Sequence, residues 1–309
     1  MPELDIDAIL GDLNAPLPEG HRSGLVCLAG RPNVGKSTLL NAMVGTKVSI
    51  VTPVPGTTRN AIRGVVTRED AQLVFIDTPG IAKPQNLLNH RLNHLVAQTW
   101  QAVDIVCLMV DAAAGIGAGD RWIAQQLAAT GVPAVCVVNK EDLAGRERML
   151  ATLTEVAAIG DWEIVPTSAV TGYNAQHLAD LLVERVPEGP RLFPSGVVSD
   201  QPERQLIAEI LREKFLTRVF DEVPHSLAVS VDELEEEDGL TRVYATIYVE
   251  RDSQKGIVIG KGGRVLKEGN TQARHELEAL LATKVFLDVR VKVAKDWQRD
   301  PRRLERFGY

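Results

Sequence analysis

Gly30-Arg31-Pro32-Asn33-Val34-Gly35-Lys36-Ser37 is the stretch that decides how the rest of the chain is read. Its spacing is G-x-x-x-x-G-K-[ST]. An apolar run of strand type, Leu25–Ala29, precedes it, and a helix-patterned stretch, Ser37–Val44, follows. A strand, a glycine turn and a helix start gather several backbone N–H groups at one point. The positive end of the helix dipole adds to them, so Gly30 through Thr38 is predicted to cradle phosphate. In such a loop Lys36 reaches the β- and γ-phosphates and the Ser37 hydroxyl ligates Mg²⁺.

Outward from this loop the first half alternates strand and helix patterns. Further apolar runs occur at Leu73–Ile76, Ile105–Val110, Ala134–Val138 and Ile164–Val165. Helix-like stretches lie between and after them at Leu88–Ala102, Asp120–Ala129, Arg146–Ala158 and Ala175–Arg185. Continuous apolar strands are buried on both faces, and their alternation with helices predicts a doubly wound α/β domain. A six-stranded, mostly parallel sheet is expected, with ligands at the carboxyl ends of its strands. Residues 188–201 are rich in proline and glycine and read as a linker. A different, α+β pattern follows: a helix over Glu203–Val219, strands at Ser226–Leu234 and Leu240–Arg251 around an acidic turn, a glycine cluster at Gly260–Gly263 opening a helix to about Ala282, and a strand at Val285–Val293.

The net charge of −7 is unevenly distributed. Residues 251–309 hold 14 Lys+Arg against 8 Asp+Glu, a net of +6, which leaves −13 on the remainder. An acidic body with a basic end points to an anionic partner at that end. Cys27, Cys107 and Cys136 each lie in a strand-type run, reading as buried thiols in a reducing compartment. No stretch is long and apolar enough to span a bilayer. The acidic residues 1–22 read as a tail on a cytoplasmic protein.

Three further segments specify the nucleotide. Asp77-Thr78-Pro79-Gly80 ends a strand: Asp77 can hold Mg²⁺ through water, and the Gly80 N–H can contact the γ-phosphate. Asn139-Lys140-Glu141-Asp142 ends another, where the Asp142 carboxylate can accept both hydrogen bonds of the guanine N1–H and N2–H₂ edge. Adenine offers neither donor there. Ser168-Ala169 follows the next strand, where a backbone N–H can meet guanine O6. In this order, from about Ser23 to Val186, the chain resembles the GTPases of the Era family. Gly56-Thr57-Thr58-Arg59 is similar to that family's switch I, whose threonine closes over Mg²⁺ and the γ-phosphate. Thr58 is favoured for this role, with Thr57 as the alternative. Ras-type enzymes orient the attacking water with a glutamine just after Asp-x-x-Gly, but Ile81 stands here. The resemblance to GTPases with that replacement implies that Asn33 helps bind K⁺ in place of an arginine finger. The expected catalytic set is Lys36, Thr58, Asn33 and Gly80, with GTP or GDP, Mg²⁺ and K⁺ as ligands.

Gly260-Lys261-Gly262-Gly263, preceded by Ile257 and Ile259 and followed by Arg264 and Lys267, is a G-x-x-G loop between helical stretches. Two glycines admit a sugar–phosphate chain, Lys261 adds charge, and the apolar residues can floor the bases; such loops clamp about four nucleotides. The order of elements resembles a type II KH domain over residues 202–299, leaving 300–309 as a basic tail. Trp297 in that basic region reads equally as an RNA-stacking group or as part of a solvated terminus. A KH domain after a GTPase domain again matches the Era family. That resemblance implies binding to single-stranded 16S rRNA near its 3′ end during 30S assembly. The competing reading is a membrane-associated signalling GTPase whose KH-like fold docks a protein. His90 and His94 share a helix face without a third metal ligand at suitable spacing. A monomer is expected.

Overall fold

The computed structural model describes residues 11–13, 15–81, 86–219 and 223–309; residues 1–10 and 14 of the expected tail lie outside the described residues. Six strands form the first sheet: β1 (Arg22–Gly30), β2 (Ile62–Thr67), β3 (Ala71–Asp77), β4 (Ile105–Asp111), β5 (Ala134–Asn139) and β6 (Glu163–Pro166). Their spatial order is β2-β3-β1-β4-β5-β6. Only the β2–β3 pair is antiparallel. The helices are α1 (Lys36–Val44), α2 (Leu87–Gln101), α3 (Ala118–Ala128), α4 (Arg146–Ala157) and α5 (Ala175–Arg185). Along β1, Val26 and Leu28 pack with Leu39 and Leu182 of α1 and α5, while Cys27 and Ala29 pack with Trp100 and Ile123 of α2 and α3. Helices on both faces are why the strand needs no polar alternation.

β2 is the strand that the apolar runs do not mark. Its Arg63 and Gly64 interrupt the pattern, and Gly64 lets Leu40 of α1 approach closely. Its outer edge is covered by residues 188–201. Val65 donates its N–H to Val198 O (2.9 Å), and the buried Gln72 side chain donates to Phe193 O (2.8 Å) while accepting from Leu192 N (2.7 Å). The expected linker is thus a strap that occupies an otherwise open sheet edge.

The second module holds α6 (Glu203–Leu216), α7 (Val223–Ser226), β7 (Ala228–Glu237), β8 (Leu240–Val249), α8 (Asp252–Ile259), α9 (Arg264–Leu281), β9 (Lys284–Val293) and α10 (Pro301–Arg306). β7 and β8 are antiparallel, and β8 and β9 parallel. The acidic residues Glu235–Glu237, expected in a turn, continue β7 as far as the Glu237–Leu240 pair, and Gly239 at φ 76° makes the reversal. Residues 300–309 are not a tail. Asp300 caps α10 (Oδ1 to Arg302 N, 3.0 Å), and Leu304 and Phe307 close over Trp297. Trp297 is fully buried and donates Nε1–H to Ser226 O (2.8 Å). It therefore neither stacks on RNA nor sits in a solvated terminus: burying an indole outweighs exposing it once α10 supplies a lid.

Candidate functional site: a nucleotide pocket and a nucleic-acid groove

β1 delivers the chain to Gly30 and α1 carries it away from Lys36. Gly35 adopts φ 100°, and a Cβ there would lie 2.2 Å from the Asn139 carboxamide. The Lys36 ammonium, buried inside the loop, donates to Gly30 O (3.2 Å) and Arg31 O (2.9 Å). Burial lowers its pKa to about 8, with the Asp77 charge opposing the shift. A cation so desolvated fits an anion in the loop. The Arg31 and Val34 side chains do not enter the loop. The Arg31 side chain is paired with Asp120 (2.7 Å) and Val34 lies in the core.

Four hydroxyl and carboxylate groups converge beside Lys36. Ser37 Oγ donates to Asp77 Oδ2 (2.5 Å) and lies 3.1 Å from Thr58 Oγ1, which is 3.4 Å from the same carboxylate oxygen. Ser49 Oγ also donates to Asp77 Oδ2 (2.9 Å). Asp77 Oδ1 is buried without a partner, and burial raises the carboxyl pKa against the pull of Lys36. An all-oxygen set around an orphaned carboxylate oxygen suits Mg²⁺. Thr57 points elsewhere, toward Thr52 Oγ1 (2.5 Å) and Val54 O (2.6 Å). Thr78 anchors its loop on Leu28 O (2.8 Å), Pro79 is buried, and Gly80 lies against Pro32. Asn33, at φ 64°, donates Nδ2–H to Pro53 O (2.7 Å), tying the P-loop to switch I. Ile81 packs in the core near Val96 and Trp100. The pocket enclosed is about 410 Å³, with Thr38, Gly80 and Lys140 among its walls.

On the base side, Asn139 is a strut. Its Nδ2–H donates to Val34 O (2.8 Å), and its Oδ1 accepts from Ala169 N (2.9 Å). Of the Ser168-Ala169 backbone N–H groups, one of which is expected to meet guanine O6, that of Ala169 is engaged with Asn139 in this structure. Lys140, at φ 68°, pairs with Asp111 (2.6 Å), and Asp142 accepts from Ser168 Oγ (2.6 Å). Asp111 and Asp120 were missed by sequence reasoning. Asp111 was signalled only by its place at the end of the β4 apolar run.

In the second module Gly260, Gly262 and Gly263 have φ of 75°, 61° and 78°, which side chains resist. Lys261, Arg264 and Lys267 are exposed around them, as is Ile257, whereas Ile259 is half-buried against the core. A groove of about 390 Å³ runs from Gly263 along α9 to β9, lined by Leu266, Lys267, Asn270, Arg274 and Leu287. Asn270 and Leu287 were not singled out from sequence, because only the α9–β9 packing brings them together.

A family model described as a 50S ribosome-binding GTPase matches residues 25–140, and one described as a KH domain matches residues 222–298. The GTPase Era of Mycolicibacterium paratuberculosis is 52% identical over 295 residues, 93% of this chain and 99% of that relative. The GTPase Era of Mycobacterium tuberculosis is likewise 52% identical, over 296 residues, 93% of this chain and 98% of its own length. The chain belongs to the Era GTPase family. It is a P-loop GTPase with a KH domain. A crystal structure of Era with MgGDPNP and nucleotides 1506–1542 of 16S ribosomal RNA superposes with a TM-score of 0.91 at 39% identity, covering 94% of this chain and 99% of that one. An Aquifex aeolicus Era variant bound to GDP and aluminium fluoride gives 0.90 at 40% identity, covering 93% and 99%.

Within this Era-family architecture the KH module packs behind the pocket wall that residues 50–58 build. Ile50, just before switch I, is buried in the KH core with Ile207 and Phe215. Glu213 accepts from Val51 N (2.9 Å), and Arg212, held by Glu209 (3.0 Å), donates to Thr57 O. Burial works against the Arg212 charge, but Glu209, together with Tyr309 and Glu213, outweighs it, so its pKa is raised. Lys47 and Lys214 bind Glu213 and Glu276 in one ionic cluster.

Proposed function

We propose that the chain is a GTP-timed RNA clamp. It binds GTP with Mg²⁺, captures single-stranded 16S rRNA near its 3′ end, hydrolyses slowly and releases, acting in 30S subunit maturation as a cytoplasmic monomer. The observation that carries this reading is the exposed Gly260–Gly263 loop at the mouth of a basic groove. The RNA-bound Era structure, 39% identical, supports it.

In this reading the backbone from Gly30 to Thr38 seats the phosphates, and Lys36 neutralises charge building on their oxygens. The Gly80 N–H contacts the γ-phosphate, and Asp142 selects guanine. Ser37, Thr58 and, through water, Asp77 would hold Mg²⁺, which when bound would neutralise negative charge on the β- and γ-phosphates. Buried Ile81 cannot orient water. Asn33, already against the carbonyl of Pro53, would take part in holding K⁺, which would supply positive charge an arginine finger otherwise brings. Turnover should therefore fall when Na⁺ replaces K⁺, and Asn33→Ala should erase the difference.

The test of the RNA reading is binding of a 16S 3′-end oligonucleotide, read by anisotropy with a GTP analogue and with GDP. Gly262→Asp places a carboxylate where phosphate should pass and should weaken binding by at least about fivefold, two like charges about 4 Å apart costing on the order of 1–4 kcal/mol, with GTP affinity unchanged. RNA binding that is absent in both nucleotide states would sink the proposal. Binding to anionic vesicles instead would move weight to the membrane reading, although Glu268, Glu276 and Glu278 on α9 disfavour it and no helix of the described residues can cross a membrane.

A further inference from the structure

Arg59 follows Thr58 directly, yet its side chain leaves the GTPase domain. It is buried in the KH module, donating Nη1–H to Leu227 O (2.8 Å) and Nη2–H to His225 O (3.0 Å). Its guanidinium lies 5.5 Å from the Trp297 ring and 5.4 Å from the Tyr309 ring. Tyr309 is itself fixed: its N–H donates to Leu304 O (2.8 Å) and its carbonyl accepts from Arg91 of α2 (2.9 Å). A planar cation desolvated between two rings and two carbonyls is a rigid anchor.

We propose that Arg59 is a positioning residue for GTP hydrolysis, and that Trp297 and Tyr309 of the KH module are the seat that holds it. One peptide link, about 3.8 Å between Cα atoms, joins Arg59 to Thr58. The Thr58 hydroxyl must stay beside Ser37 and Asp77. Ile50 and Arg59 pin switch I at its two ends, and Arg212 grips it at Thr57 O. The hydrolysing geometry is completed by a domain some 150 residues downstream, as the 155-residue separation of Arg212 and Thr57 shows. The inference rests on Ser37, Thr58 and Asp77 forming the Mg²⁺ set.

Single-turnover hydrolysis, Mg²⁺ titration and fluorescent GTP and GDP affinities of the full chain test it. Arg59→Ala should slow turnover by about 10- to 100-fold, the scale of a ~1 Å misplacement. It should raise the Mg²⁺ concentration needed for half-maximal rate and leave GDP affinity within about twofold, since GDP makes no demand on Thr58. Arg59→Lys should not restore the rate, because an ammonium cannot span both carbonyls and stack. Tyr309→Ala should slow turnover by about threefold and add little to Arg59→Ala, as contacting residues are non-additive. Unchanged turnover in folded Arg59→Ala and Tyr309→Ala would overturn the proposal. So would GTP and GDP affinities falling together with the rate, which marks a collapsed pocket. If Arg59→Ala does not fold, Tyr309→Ala and Arg59→Lys decide by the same criteria. Thr58→Ala probes the underlying metal set separately: turnover and Mg²⁺ dependence unaffected by it would remove that reading instead.

Discussion

Lys140 and Thr58 line the same pocket but are held by different parts of the chain. Lys140 belongs to a wall built wholly inside the GTPase domain. Asn139 braces it against the P-loop and the Ala169 loop, and Asp111 of the adjacent strand fixes Lys140 itself. Thr58 belongs to a wall whose ends and middle are fastened to the KH module through Ile50, Arg212 and Arg59. In the proposed reading the first wall meets a base that is the same in GTP and GDP, so it can be rigid and local. In the same reading the second meets the phosphate that hydrolysis removes, and fastening it to the KH module would let the two sites bias each other.

The largest effect that would sharpen this contrast is on the base wall. Asp142→Ala should weaken GTP and GDP equally, by on the order of 10²–10⁴-fold for two charge-assisted hydrogen bonds. A calorimetric titration giving unequal losses would break the contrast. Next is Trp297→Ala, which removes the buried floor of the switch wall and should cost the KH module about 3–5 kcal/mol. Denaturant unfolding should then show the KH transition moving earlier, with slowed hydrolysis and retained GDP binding. Loss of GDP binding in step with that transition would mean the walls are not independent. The smallest is Lys47→Ala. Its ion pairs with Glu213 and Glu276 are partly exposed, so their loss should cost under about 1 kcal/mol, a difference that should vanish near 1 M salt. A larger, salt-insensitive effect would show that this cluster, rather than Arg59, carries the inter-module bond.

The nucleotide residues were legible in sequence because each motif is a short run set at a strand end, and its chemistry is local. Ser37 and Asp77 follow from spacing alone. The choice between Thr57 and Thr58 does not, since both are hydroxyls one residue apart; it is the hydrogen bonds of Thr57 to Thr52 and Val54 that separate them. β2 escaped because Arg63 and Gly64 break its apolar run, and its pairing with β3 is set by the hairpin rather than by hydrophobicity. Trp297 was misread because a tryptophan among arginines looks solvent-facing until α10 folds over it.

The sequence by itself determined the P-loop, the Asn139–Asp142 loop, the G-x-x-G loop and the two-domain order, since all of these are encoded in contiguous residues with fixed spacing. Only the tertiary structure decided that Arg59 ends between Trp297 and Tyr309, and that the 188–201 segment straps β2. Arg59 and Tyr309 are 250 residues apart. No local periodicity records such a contact, because it exists only where the two domains pack, with two carbonyls and two rings offsetting the cost of desolvating one guanidinium.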